Sequence, residues 1–423
     1  MGLSVNRTAI ESIDAREILD NRLEPTLRVT VRTEGGAIGR ADVPRGRSRG
    51  VHEAVDLRDG GDRYRGMGVR TAVENVEERI EPELRGHSVT DQAGIDSRLR
   101  ELDGTADGSN LGGNTLTGVS LATLKAGANA HDLPVYRYLG GPAATELPIP
   151  LVDLIEGGEL GASGLPFQEH QIIPTGAESF EEAIRMCAEV YYELGDRLTE
   201  SHGEYALSVG DEGGYTPETM TDPRDAFDSM LGAIEACGYD DVFELGIDAA
   251  ATHFYDSDER TYQLSDKKYT RGGMLDYYAD LVDTYPLVSI EDPLEEDDFE
   301  GFSTLSERLD AQIVGDDLFV TNAERLRKGI DAGAGDALLC KINQVGTVSE
   351  AIDAVETARG DGYAIQVSER SGQTADTWLA EVAVGFRASQ IKTGTTRSER
   401  TEQYNRLLEI EDECGGGYAA WPR

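Results

Sequence analysis

Lysine is scarce in this chain: of its 39 basic residues only Lys125, Lys267, Lys268, Lys328, Lys341 and Lys392 are lysine. Cysteine is scarcer, with Cys187, Cys237, Cys340 and Cys414 scattered and no CxxC pair. That spacing excludes a zinc ribbon or a disulfide framework and fits thiols kept in a reducing, cytoplasmic compartment. No run of about 18 apolar residues occurs, which excludes a membrane-spanning helix. The opening MGLSVNRTAI has no charged segment leading into an apolar stretch, so no secretory signal is expected. Asn6 stands where an N-myristoylation pattern needs Ser or Thr. Positive charge is outnumbered, 39 Lys plus Arg against 80 Asp plus Glu, for a net charge of −41. Such a surface repels nucleic acid and anionic membranes, so neither is expected as a partner.

Acid is what the chain has in excess. Clusters such as Glu295-Glu296-Asp297-Asp298 fit a protein working in concentrated salt, where screening over a few ångströms removes most self-repulsion. A halophilic cytoplasm is the expectation. The 423 residues, 39% of them hydrophobic, suit two domains, or one barrel with an appended domain. Against this background a lysine that closes an apolar run stands out. Lys341 follows Ala337-Leu338-Leu339-Cys340, and Lys392 follows Gln390-Ile391.

Residues 1–140 read as an α+β domain. Leu27 to Arg32 alternates as a strand should, Val51 to Arg58 is a second candidate, and helices are expected near Val69–Leu84 and Asn114–Ala130. Between them, Pro44-Arg45-Gly46-Arg47-Ser48-Arg49-Gly50 has two glycines and no large apolar residue, the composition of a mobile loop. From residue 141 to 423 short apolar runs recur: Ile149–Ile155, Phe167–Ile173, Phe243–Asp248, Leu287–Glu291, Gln312–Asp316, Ala337–Lys341, Ala364–Ser368 and Ser389–Lys392. The last five end about 25 residues apart, the length of a βα unit, and eight such units predict a (β/α)8 barrel. The tail Gly415–Arg423 is expected to be loosely ordered.

Barrel chemistry sits at strand ends, and here those ends carry Glu169, Asp248, Glu291, Asp316, Lys341 and Lys392. Charges closing apolar strands are costly to bury unless paired or bound to metal. Asp248, Glu291 and Asp316 would converge on one point. Hard oxygen donors without His or Cys suit Mg2+, and the alternative is a salt-bridge network. A desolvated lysine beside such an ion has its pKa lowered and can act as a base, so Lys341 and Lys392 are candidates, unless they simply pair with the acids. Glu169 and Glu212, the latter in Gly210-Asp211-Glu212-Gly213-Gly214, could form an acid pair in which repulsion keeps one protonated; GDEGG alone could equally be a turn.

The chain resembles the enolase family from about residue 10 to 412. The matching segments include DAREILDNR, VHEAVDLRDGG, GVSLATLKAGA, PFQEHQIIPTGA, VGDEGGYTP, GIDAA, SIEDPLEEDDFEGF, IVGDDLFVTN, LLCKINQVGT, QIKTG and RSERTEQYNRLLEIED. The resemblance implies an enolase-type barrel preceded by an N-terminal α+β lid domain, a homodimer or higher homo-oligomer, and Mg-assisted dehydration of 2-phosphoglycerate to phosphoenolpyruvate in glycolysis. Residue by residue, it implies that Asp248, Glu291 and Asp316 hold Mg2+. It makes Lys341 the general base, and Glu212, with Glu169 beside it, the general acid. Lys392 and Gln168 belong to the substrate site, Arg370 and Ser371 hold phosphate, and Ser48 reaches a second Mg2+ from the lid.

Three departures bear on the substrate. The family's lid, roughly S-G-A-S-T-G, reads Arg45-Gly46-Arg47-Ser48-Arg49-Gly50, and two active-site histidines of the family are Leu160 and Glu369. An ionised Glu369 beside Arg370 would oppose phosphate, Leu160 removes a donor, and the lid arginines add positive charge. The alternatives to a working enolase are a paralogue taking a different, more anionic carboxylate, and a non-catalytic binding protein on the same fold.

Overall fold

The structure, a computed structural model, describes residues 7–47 and 49–422. The lid serine expected at Ser48 lies outside the described residues. The chain begins with a three-stranded antiparallel sheet, Ile10–Leu19, Pro25–Thr33 and Ile38–Asp42, in that order. Leu27, Val29 and Val31 of the middle strand are fully buried while Arg28, Thr30 and Arg32 alternate outward. Burying each of those apolar side chains contributes about 1.5–3 kcal/mol. They pack on the helix Gly113–Ala130, and contact is close enough that a Cβ on Gly39 would lie 1.9 Å from the Ala122 carbonyl.

One expectation for this region needs correction. Val51 to Arg58 is not a strand. Its Ala54 N–H goes to the Gln344 carbonyl and its Val55 N–H to the Asp107 carbonyl, so the segment is held by loops rather than by a neighbouring strand. The helix expected near 69–84 is present without a break from Arg70 to Leu84, its middle, Asn75–Ile80, widened to a π-helix. Pro82 cannot donate to the preceding turn, which favours that widening.

The barrel has its eight expected strands, each within two residues of the expected ends, closed into a ring. It departs from simple βα repetition at the start. The second strand, Glu169–Ile173, runs antiparallel to both Ile149–Glu156 and Glu244–Asp248, because residues 157–168 contain no helix and return the chain directly. Helices Phe180–His202 and Pro223–Cys237 both follow that strand. The reversal brings Glu169, which opens its strand, to the mouth where the parallel strands end.

Alternation along the strands decides what faces inward. Ile247, Ile290, Ile313, Leu338, Ile365 and Ile391 join the large core under the helices. Two small apolar clusters, Ile149-Leu151-Ile173 and Val314-Ala337-Leu339, fill the lumen. Toward that mouth every strand carries a polar residue: Asp153 within the first strand, Glu169 at the start of the antiparallel one, and Asp248, Glu291, Asp316, Lys341, Ser368 and Lys392 at or just past the ends of the others. The tail is not loose. Tyr418 bridges to Leu147 and donates its hydroxyl to the Pro174 carbonyl at 3.1 Å, and Ala419 is buried. The tail thus packs against the mouth opposite the polar ring, beside a cavity of about 1210 Å³ that Gln312, Asp336 and Trp421 help to line.

Candidate active site

Two ammonium groups organise the polar ring. Lys392 Nζ donates to Glu291 Oε2 at 2.6 Å, Glu169 Oε1 at 3.1 Å and Asp248 Oδ2 at 3.3 Å. Lys341 Nζ donates to Asp316 Oδ2 at 2.5 Å, and Gln344 Nε2 reaches Asp316 Oδ1 at 2.7 Å. Gln168 donates to Asp248 Oδ2 at 3.1 Å. The carboxylates expected to hold a metal are therefore at one mouth, but each is turned to an ammonium. The tightest acidic sets among the described residues are different ones, Asp153-Glu169-Glu212 and Asp292-Asp316-Asp317, whose oxygens each fall within 4.8 Å of one another. Either set, like the strand-end carboxylates, offers the hard oxygen donors of a metal site. Glu291 Oε1, buried and without a partner, is an open donor of the same kind.

The charges explain one another. Burial, and then Asp248, pushes the Glu291 carboxyl well above its usual range. Burial pulls Lys392 down, but Glu169, Glu291 and Asp248 outweigh it and hold the amine well above an ordinary lysine. Burial raises Glu169 to about 7, with Lys392 acting against it and Glu212 and Asp248 with it. Burial would raise Asp316, but Lys341 beside it leaves it below the usual value. The expected lowering of Lys341 is not seen. Burial lowers it, Asp316 raises it, and the net direction is up, because the Asp316 carboxylate is in direct contact with the amine.

At the other end of the cavity Arg370 makes a two-pronged pair with Glu53, at 2.9 and 3.0 Å, and reaches Asn343. Ser371 Oγ accepts from the Arg47 N–H at 2.7 Å and from Arg22 at 3.1 Å. The lid is docked rather than free: Arg45 and Gly372 exchange both backbone hydrogen bonds at 2.7 Å. Its arginines divide in role. Arg45 is tied to Glu24 and Asp56, Arg47 pairs with Asp211 at 2.7 Å, and Arg49 lines a small pocket with Glu53 and Asn343. Glu369 lines the cavity as a substrate-site residue would, and its carboxylate is paired with the fully buried Arg400, so it does not present a bare charge to an incoming anion. Leu160 is buried and is not among the cavity-lining residues; its carbonyl accepts from the Asp211 N–H. The cavity itself is narrow, about 10 Å³, and is lined by Gln168, Glu169, Glu212, Asp248, Lys341, Arg370, Ser371 and Lys392 among others.

Two family models cover this architecture: the enolase N-terminal domain over residues 10–139 and the enolase C-terminal TIM barrel domain over residues 144–420. The chain belongs to the enolase family. It is 52% identical over 419 residues to a protein named Enolase from Methanopyrus kandleri, covering 98% of each chain. It is 50% identical over 416 residues to Enolases from Thermococcus kodakarensis and Pyrococcus furiosus, covering 97% of this chain and 96% of each of those.

Several residues of this enolase-family site escaped the sequence reading. Arg400 donates to the carbonyls of Arg370 at 2.9 Å, Ser371 at 2.8 Å and Asp211 at 3.3 Å, tying together the two loops that carry Arg370-Ser371 and Glu212. Asp292, at a φ of +41°, accepts the N–H groups of Asp316 at 2.9 Å and Asp317 at 2.8 Å, which fixes where Asp316 points. Glu53 supplies the counter-charge to Arg370 from the lid side. Their signal was present in RSERTEQYN, SIEDP and VHEAV, where charged residues sit inside otherwise apolar or motif-bearing segments. No helix among the described residues is long and apolar enough to cross a membrane.

Proposed function

We propose that this enolase-family chain is a hydro-lyase that dehydrates 2-phosphoglycerate to phosphoenolpyruvate in glycolysis. The observation that carries the reading is the convergence, on one narrow cavity, of two buried lysines, the strand-end carboxylates, Glu212 and the Arg370-Ser371 pair. Lys341 removes the proton from the carbon next to the substrate carboxylate, and Lys392 holds that carboxylate. Glu212, with Glu169 beside it, protonates the hydroxyl that leaves the β-carbon as water. Arg370 and Ser371 receive the phosphate, with Gln168 orienting Asp248. Asp248, Glu291 and Asp316 would hold Mg2+, which when bound draws charge from the substrate carboxylate and makes the neighbouring proton acidic. Ser48 would add a ligand from the lid to a second Mg2+. Removing Asp316 from its pairing with Lys341 would also free the amine to act as a base.

The same reading takes residues 1–140 as a lid unit on a barrel unit of 141–423, the enzyme as cytoplasmic and adapted to high salt, and the assembly as a homodimer or larger homo-oligomer. A paralogue acting on another, more anionic carboxylate is favoured by Leu160, Glu369 and the lid arginines; the pairing of Glu369 with Arg400, of Arg45 with Glu24 and Asp56, and of Arg47 with Asp211 weakens that case. A non-catalytic role would leave several buried charges maintained at a cost with no compensating chemistry. The test is phosphoenolpyruvate formation by the purified chain in molar KCl with Mg2+. Rapid turnover is expected; no product, with α-proton exchange intact, would point to the other carboxylate.

A further inference from the structure

Beneath the Glu212 side of the cavity lies more acid than the reaction described above uses. Asp153, Glu156, Glu169 and Glu212 are all buried, and oxygens of Asp153, Glu169 and Glu212 approach within 4.8 Å of one another. Glu156 has a structural explanation, since it accepts the N–H groups of Gly214 at 2.5 Å and Glu212 at 3.2 Å. Asp153 has none. It is fully buried and neither of its oxygens has a hydrogen-bond partner, and Glu212 Oε2 beside it is likewise unpartnered. The groups facing it are Glu156 on its own strand, Glu169 and Lys392 on barrel strands, and Glu212 on the 210–214 loop, with Tyr191 and Tyr404 on the helices behind. Lys392, the one cation in that set, is shared among Glu169, Asp248 and Glu291. A Cβ on Gly214 would lie 3.1 Å from Asp153 Oδ2, so the backbone there closes the site off.

An ionised carboxylate buried with no donor costs several kcal/mol, whereas a protonated one carries no charge and supplies the O–H donor that its neighbours lack. Burial, and then Glu156, holds Asp153 well above the usual carboxylate range. We propose that Asp153 is a positioning residue that stores the proton used by Glu212 and reloads Glu212 after each elimination. The inference rests on the reading of Glu212 as general acid.

The protons balance. Lys341 takes the α-proton, and the electron pair of that C–H bond becomes the new carbon–carbon double bond. The β-carbon–oxygen bond breaks with its electrons on oxygen, which takes the Glu212 proton and leaves as water. Asp153 then passes its proton to Glu212. When product leaves, Lys341 gives its proton to solvent and Asp153 recovers one from solvent through Glu212, which lines the cavity, so each turnover is neutral overall.

The test compares the full-length wild type with Asp153→Asn, which keeps size and a donor but cannot pass on a proton. In molar KCl with Mg2+, α-proton exchange of 2-phosphoglycerate into heavy water reads the Lys341 step, and phosphoenolpyruvate formation reads the whole reaction. Expected are exchange within about twofold of wild type, elimination reduced by about tenfold or more, and an alkaline limb of the kcat profile moved to lower pH. Exchange and elimination falling together, or neither changing, would overturn the proposal. Difference infrared spectroscopy gives a readout free of turnover: in the wild type minus Asp153→Asn spectrum at pH 8, a carbonyl-stretch band of one protonated carboxyl should be present in wild type and lost in the variant. A missing band in wild type overturns the proton store. A band present in a protein inactive on 2-phosphoglycerate supports the store and rejects that substrate instead. Should Asp153→Asn fail to fold, Asp153→Ser is read in the same two ways.

Discussion

Lys341 and Asp316 illustrate how a single contact carries two states. As seen, the 2.5 Å pair holds the amine protonated, the wrong form for a base. Any ligand that takes up the Asp316 carboxylate weakens that hold. Lys341→Ala is therefore expected to lower kcat by about 100- to 10,000-fold and to abolish α-proton exchange, the measurement that separates a base from a carboxylate holder. Undiminished exchange would move the role to another residue. His170 offers a cleaner pH experiment, because it lies among Phe167 and Phe227, away from the cavity. Its Nδ1–H donates to the Ile155 carbonyl at 3.1 Å, and burial lowers its pKa from 6.5 to about 4. The unfolded chain thus binds a proton between those values that the folded chain refuses. Stability from this residue is complete above pH 6.5 and is lost as pH falls toward 4, by as much as about 3 kcal/mol. Urea midpoints measured from pH 7 to pH 4 should fall less steeply in His170→Phe than in wild type; parallel curves would remove His170 as a cause.

Among the elements, the barrel strands were legible because each is a short apolar run with a polar residue at or near one end, a pattern that survives whatever direction the strand takes. Direction was not legible. Nothing in PFQEHQII marks it as antiparallel, since alternation reads the same both ways, and only the missing helix in 157–168 records it. Val51 to Arg58 alternates like a strand but has no strand to pair with, so tertiary contacts override its pattern. The tail looked loose because polar, glycine-rich composition says nothing about a lumen waiting to receive Tyr418 and Trp421. In the site, residues that end strands could be found from their runs, while the partners of Arg400 and Glu53 could not be read even though their motifs were present, because those partners lie 31 and 317 residues away in sequence. The lid shows the same limit: three arginines in one loop do different work. Arg45 is mostly buried between Glu24 and Asp56, so Arg45→Ala should cost about 1–3 kcal/mol in urea unfolding, because it leaves Glu24 with Arg22 alone and Asp56 with Arg58 alone. Arg47 is half exposed, so Arg47→Ala should change stability by less than about 1 kcal/mol and show itself in KM. Equal effects of the two on stability would refute this division.

On the scale of the whole molecule, a net charge of −41 acts at two ranges that one experiment can separate. Surface acids repel one another over the Debye length, about 30 Å at 0.01 M salt and about 3 Å at 1 M, so folding should strengthen as KCl rises, whatever the site contains. The carboxylates of the barrel mouth lie too close together and too far from solvent for screening to help. Their excess charge needs protons, lysines or a bound cation. Mg2+ should therefore stabilise the protein beyond its ionic strength, by about 2.7 kcal/mol at a hundredfold excess over its dissociation constant. Thermal unfolding would be followed across KCl from 0.1 to 2 M, and then across Mg2+ at constant ionic strength, for wild type and Asp316→Ala. Wild type should respond to both ions. Asp316→Ala should keep the KCl response, which belongs to the surface, and lose the Mg2+ response, which belongs to the site. Equal Mg2+ stabilisation in both proteins would remove Asp316 from the metal site. A midpoint that fails to rise with KCl would mean that surface repulsion does not limit stability, and that the acidic surface has some purpose other than folding in salt.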